Sequence, residues 1–125
     1  MPHEKNTTWI EVNLAAIQRN FMRLREITQK PVMPVVKGNA YGHGLVEVSR
    51  ALVDAGAMRL CVARIEEALR LREAGVETPV LVLGYTTPEC VNDAILNNVS
   101  LMVNSLELAK EFNQAAAGTN KKLKI

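Results

Sequence analysis

Pro79-Val80-Leu81-Val82-Leu83-Gly84 is an almost wholly apolar run bounded by a proline and a glycine. A strand with one solvated face would alternate polar and apolar residues, and this one does not. It reads as a strand covered on both sides, the pattern of parallel sheets. The same kind of run recurs upstream as Leu60-Cys61-Val62-Ala63 and Val32 to Val36, and downstream as Val99 to Val103. Leu123-Lys124-Ile125 begins another. Farther upstream, Thr8-Trp9-Ile10-Glu11-Val12 has the alternating character of a short strand.

Single helices fit between these runs. Asn13 stands where an N-cap belongs, ahead of an apolar face of Leu14, Ile17, Phe21 and Leu24 that Gln29-Lys30-Pro31 ends. Leu45, Val48, Leu52 and Ala55 form the next face, with Gly56 placed to close the helix in the left-handed conformation. Ile65, Ala68, Leu69 and Leu71 form a third, which ends at Gly75 and carries Glu66 and Glu67 in its first turn. Thr87-Pro88-Glu89 is a cap, a first-turn proline and an acid, leading to Val91, Ala94 and Ile95. Ser105 caps the helix expected over Leu106 to Ala117.

The strand centres fall near residues 34, 61, 81, 101 and 124. Parallel strands joined by single helices with right-handed crossovers make either a (β/α) barrel or an open doubly wound sheet, and spacing alone does not choose. The chain has 125 residues and 13.8 kDa, one domain's worth. A closed barrel takes about 250 residues, so residues 1–125 are expected to be the front part of something larger.

Composition narrows the function class. With 15 Lys and Arg against 13 Asp and Glu, the net charge of +2 lacks the basic excess of a nucleic-acid binder. The 48% hydrophobic and 22% charged fractions are those of an ordinary globular protein. No apolar run approaches the ~18 residues of a membrane span, and Met1–Asn6 does not resemble a secretory leader. Cys61 and Cys90 form no CxxC pair and have no histidine at ligand spacing, so neither a disulfide framework nor a metal site is expected. A cytoplasmic setting fits. The Glu66, Glu67, Arg70, Arg72, Glu73 group reads as a solvated helix face, and Trp9 as an anchor for the first segment.

The chemistry is concentrated in Val35-Val36-Lys37-Gly38-Asn39-Ala40-Tyr41-Gly42-His43-Gly44. A lysine directly after an apolar strand lies at the carboxyl edge of the sheet, where α/β proteins place their ligands. Partial desolvation there would favour the neutral amine, which forms Schiff bases with aldehydes; the alternative is a plain solvated lysine. Gly38, Gly42 and Gly44 permit backbone conformations and close approaches suited to an anion such as phosphate, although no GxxxxGK[ST] pattern is present. Tyr41 could bond a phosphate oxygen or pack beneath the loop. His43 suits ordering its own loop better than acting as ligand or base.

VVKGNAYGHG resembles the cofactor-lysine motif of the alanine racemases, which use pyridoxal phosphate on a (β/α) barrel. TTWIEVNLAAIQRN is similar to that family's opening, ARIEEALRLREAG to its third-segment helix, PVLVLGY to the strand that follows, and KKLKI to the start of the strand leading to a glycine-rich motif. Gly38 departs from the family's more frequent alanine and should loosen the loop. Pro34 within the lysine strand cannot donate to a ladder and suggests a bulge or a locally unpaired segment. The resemblance implies an α/β fold, the amino-terminal part of a TIM-like barrel. It implies that Lys37 holds pyridoxal phosphate as an internal aldimine and, once freed, acts as one of two opposed proton-transfer bases. Tyr41 matches the tyrosine that bonds the cofactor phosphate; Val35 and Leu83 fall where side chains line the pocket.

By the same resemblance, the opposite-face base is a tyrosine of a separate β domain from the partner subunit of a homodimer, and Tyr85 does not match it. The partner of the pyridine nitrogen, further phosphate ligands and the substrate carboxylate clamp also match nothing here. The expected function is L-alanine to D-alanine interconversion, supplying peptidoglycan, with a small amino acid as substrate and no nucleic-acid or membrane partner. The 125 residues alone are not expected to racemise efficiently. The alternatives are a racemase of serine or another amino acid on this fold, and a non-catalytic module binding a phosphate or carbonyl compound. A flavodoxin-like domain is disfavoured, because no hydroxyl-rich or acidic phosphate loop follows the first parallel strand.

Overall fold

A computed structural model describes residues 7–125; Met1–Asn6, on which the expectation of no secretory leader rests, lie outside them. Three short strands form a parallel sheet in sequential order: β1 (Leu60–Val62), β2 (Val80–Val82) and β3 (Val99–Leu101). Their register pairs Cys61 with Leu81 and Leu81 with Ser100. Single parallel bridges extend the sheet at both edges, Val35 to Cys61 and Ser100 to Lys124. One row therefore runs Val35, Cys61, Leu81, Ser100, Lys124, close to the strand centres expected from the sequence.

The helices are α1 (Leu14–Thr28), α2 (Lys37–Tyr41), α3 (Leu45–Asp54), α4 (Ile65–Glu73), α5 (Val91–Leu96) and α6 (Leu106–Ala117), with a 3-10 turn at Pro88–Cys90 before α5. Strand residues in the hydrophobic core all belong to one alternation: Val36, Leu60, Val62, Val80, Val82, Val99 and Leu101. They meet Leu45, Val48 and Leu52 of α3, Ile65, Ala68 and Leu71 of α4, and Leu108 and Phe112 of α6. The helices thus cover one face of the sheet. A doubly wound sheet has helices on both faces and a reversal of strand order where its ligand binds. Sequential strands with helices on one side are instead an arc of a barrel wall.

Several helix ends follow the sequence. The Ala16 amide donates to Asn13 Oδ1 at 2.9 Å, and the Leu108 amide to Ser105 Oγ at 3.1 Å. Thr87 differs, for its hydroxyl lies 3.8 Å from Cys90 Sγ and caps no backbone amide. Leu24, expected on the buried face of α1, is exposed, because only Phe21 of that helix is fully buried against its neighbours.

The expected strand at Thr8–Val12 forms no ladder among the described residues. No other strand runs beside it there, and Trp9 and Ile10 are 53% and 85% exposed. Trp9 is therefore half-exposed, and its indole N–H donates to Glu11 Oε1 at 3.0 Å within the first segment. The Val32–Val36 strand shrinks to the single Val35 bridge for the reason Pro34 suggests. The Cys61 amide donates to the Pro34 carbonyl at 2.9 Å and the Val36 amide to the Cys61 carbonyl at 2.8 Å. The next bond of that ladder would need a Pro34 N–H, which proline lacks.

Candidate active site

Lys37 leaves the carboxyl end of the edge strand two residues beyond Val35, and Leu83 stands two beyond Leu81 on the far side of β1. Ala63 occupies the same height between them, so lysine, alanine and leucine share one level of the sheet's carboxyl edge. Lys37 is exposed. The desolvation considered for its amine is therefore not supplied by these residues.

The chain then winds the wrong way. Gly38, Asn39, Ala40 and Tyr41 all have positive φ, from 54° to 60°. For each of the three L-residues with a side chain this costs about 1–2 kcal/mol, so the turn persists only because its surroundings over-determine it. The Ala40 amide donates to the Val36 carbonyl at 2.9 Å, and the Gly44 amide to the Asn39 carbonyl at 2.9 Å. Asn39 Oδ1 accepts the Leu45 amide at 2.9 Å, fixing the start of α3. His43 Nδ1 donates to the Ala40 carbonyl at 3.0 Å, the loop-ordering role expected of it. Burial of Val36, Ala40 and Leu45 clamps the turn from below.

The left-handed turn presents Tyr41 to solvent, 63% exposed. Its side chain and that of Val35 line a cleft of about 460 Å³ between α1 and the edge strand, with Ile17, Phe21 and His43. Lys37 and Leu83 do not line this cleft. Of the four residues singled out in the sequence, Val35 and Tyr41 share it, while Lys37 and Leu83 share only the level of the sheet edge. Among the described residues no cluster of His, Cys, Asp or Glu could hold a metal ion.

Two side chains read as solvated are not. Glu67 accepts the Gly38 amide on Oε1 at 2.6 Å, and the Ala63 and Arg64 amides on Oε2 at 2.9 and 3.1 Å. Arg72 spends its guanidinium on the carbonyls of Val76, Thr78, Asn97 and Asn98 at the opposite, amino-terminal edge. Burial pushes its pKa down, opposed by the charge of Glu77. The first-turn position of Glu67 signals a helix-start acceptor, but nothing in the sequence signals Gly38 as its donor. Asn39 was missed as well, though an asparagine in a glycine-rich turn ahead of a helix tolerates the left-handed region and accepts amides.

Residues 12–125 match the family model for the alanine racemase amino-terminal domain. The chain belongs to that family. It is 42% identical to an alanine racemase of Desulforamulus reducens over 97% of its own length and 33% of the relative's. It is 47% identical to one of Methanococcus maripaludis over 94% of its length and 32% of the relative's. The chain thus spans about a third of the length of the curated relatives it matches. Among solved structures, alanine racemase from Bacillus anthracis with bound L-Ala-P superposes with a TM-score of 0.85 at 42% identity, covering 93% of this chain and 30% of that one. A histidine racemase from Leuconostoc mesenteroides superposes at 0.83 with 35% identity, covering 88% and 30%. The arc of parallel strands is therefore the amino-terminal part of the alanine racemase barrel, and no helix among the described residues is long and apolar enough to cross a membrane.

Proposed function

We propose that this chain is the cofactor-lysine segment of a pyridoxal-phosphate-dependent racemase interconverting L-alanine and D-alanine, with Lys37 as the cofactor lysine. The observation carrying this is the placement of Lys37 at the sheet's carboxyl edge directly before an over-determined left-handed turn, in a chain of this family. The donor set fits the cofactor. A primary amine suits its aldehyde, a phenol free to bond a phosphate oxygen stands four residues on, and Val35 and Leu83 offer apolar surface. A Cβ built on Gly38 or Gly42 would meet nothing within 4 Å, so the turn leaves open space on its outer side.

When bound, pyridoxal phosphate delocalises the electrons left on the α-carbon after its proton departs. The residues of this chain do the rest of what this segment can do. Lys37 Nζ holds or returns the α-proton from one face. Tyr41 Oη would donate to its phosphate. Val35 and Leu83 would offer the ring apolar surface. The opposite-face base belongs to a carboxyl-terminal β domain of the partner in a homodimer, in the cytoplasm, with D-alanine destined for peptidoglycan.

A second reading keeps site and cofactor and changes the substrate to another amino acid, favoured by the likeness to the histidine racemase. The test, on the protein expressed from its own gene, is an absorbance spectrum with pyridoxal phosphate, borohydride reduction and peptide mapping, then racemisation assays with alanine, serine and histidine. Reduced adduct on Lys37 with alanine preferred is the expected result. Adduct scattered over surface lysines would sink the cofactor assignment, and preference for histidine or serine would establish the second reading.

A further inference from the structure

We propose that Glu67 is a positioning residue for Lys37, an inference that rests on reading Lys37 as the cofactor lysine. Lys37 extends from a strand end that the ladder holds by a single bridge, since Pro34 removes the next bond. The turn beyond it is strained. A lysine so placed needs a second tether to leave the sheet in one direction, and the Glu67 carboxylate supplies one. It joins the amide immediately after Lys37 to the amides of Ala63 and Arg64, at the end of the neighbouring strand. The peptide plane between Lys37 and Gly38 is thereby referred to β1, which is laddered to β2, rather than to its own edge. Charge-assisted bonds to a carboxylate are stronger than neutral ones, and both of these oxygens are engaged.

The two oxygens divide the work, which gives a specific test. In Glu67→Gln the amide side chain keeps one acceptor oxygen. Two amides converge on Oε2 and only one on Oε1, so the retained oxygen stays with Ala63 and Arg64, and the NH2 group faces the Gly38 N–H. The start of α4 stays capped while the tie to the lysine turn is lost.

The experiment uses the protein expressed from its own gene, its Glu67→Gln variant, and Glu66→Gln as a control on an exposed neighbour. Each is treated with limiting pyridoxal phosphate and borohydride, and pyridoxyl adducts on Lys37 and on surface Lys110 are quantified by peptide mapping. Native-state hydrogen exchange at the Gly38 amide and thermal melting are followed in parallel. Loss of one charge-assisted bond should lower the Lys37-to-Lys110 ratio about tenfold in Glu67→Gln, with faster Gly38 exchange, while Glu66→Gln matches the parent. An unchanged ratio overturns the proposal, leaving Glu67 a helix cap. Loss of cooperative melting in Glu67→Gln also overturns it, because the carboxylate would then hold the domain rather than aim one lysine. If the parent itself shows no preference for Lys37, the cofactor assignment fails and takes this inference with it. That outcome is separate from a parent that prefers Lys37 and a variant that does so equally.

Discussion

The Glu67 carboxylate reaches across 29 residues of sequence to accept the Gly38 amide at 2.6 Å. That one bond joins two structural features beside Lys37. One is β1, whose end carries Ala63 and Arg64; the other is the left-handed turn that carries Lys37 at its start. The same carboxylate caps α4, so helix, strand end and lysine turn share a single acceptor. A barrel places its chemistry at the carboxyl ends of its strands, and this contact shows how one edge residue is held there.

Tyr41 tests the phosphate assignment. Its phenol is exposed and its left-handed backbone is fixed by its neighbours, not by its own hydroxyl. Tyr41→Phe should therefore fold as the parent does and weaken pyridoxal phosphate binding about tenfold, the worth of a hydrogen bond to a charged group. Titration by absorbance, with unsubstituted pyridoxal as the comparison, checks it. Equal weakening for both compounds would place Tyr41 away from the phosphate.

Short apolar runs such as Val80–Val82 announce themselves, because strands of a barrel wall need no polar alternation and the helix signals between them are strong. The Asn13 and Ser105 caps are local and were readable. The Thr8–Val12 strand misled, since alternation says that a segment could pair but not that a partner lies beside it. Glu67 and Arg72 misled for the opposite reason. A charge on a helix looks solvated until the tertiary fold brings amides or carbonyls to it. The strand-end placement of Lys37 is legible from the apolar run before it and the glycines after it. The winding sense of the turn after it is not, because Asn39, Ala40 and Tyr41 adopt positive φ only under contacts from Val36, Leu45 and Glu67.

Gly84 marks a close backbone approach at the carboxyl edge. A Cβ there would stand 2.3 Å from the Ala63 carbonyl oxygen, which already accepts the Gly84 amide at 3.0 Å. Backbone cannot rotate away as a side chain can, so β1 and β2 must part. Gly84→Ala is expected to cost about 1–3 kcal/mol, read as a lower urea midpoint, with Leu83 displaced from the level of Lys37.

Arg72 holds the other edge. Its planar fork serves four carbonyls that belong to the turn before β2 and to the turn before β3. Lysine has one point charge and cannot span both turns. Arg72→Lys should destabilise by about 1–3 kcal/mol through stranded carbonyls, while leaving pyridoxal phosphate binding at the opposite edge unchanged. Urea denaturation together with cofactor titration separates the two effects. A loss of binding without loss of stability would contradict this division of edges.

Cys61 makes stability depend on pH at the alkaline end. It sits in the centre of β1, 2% exposed, between Val35 and Leu81 in the register row. Burial raises its thiol pKa, with the charge of Arg59 opposing. A raised folded-state pKa means that the native protein keeps its proton where the unfolded chain has lost it. The contribution is therefore fully present below the unfolded thiol pKa and is lost as pH rises through the folded one. Urea midpoints should fall from pH 7 to pH 10 more steeply in the parent than in Cys61→Ala, in which every other group still titrates. The same burial should make Cys61 slower than half-buried Cys90 toward a thiol reagent at pH 8, because the thiolate is the nucleophile. Parallel pH curves for parent and variant would show that ionised Cys61 is tolerated in the strand and that burial does not control it.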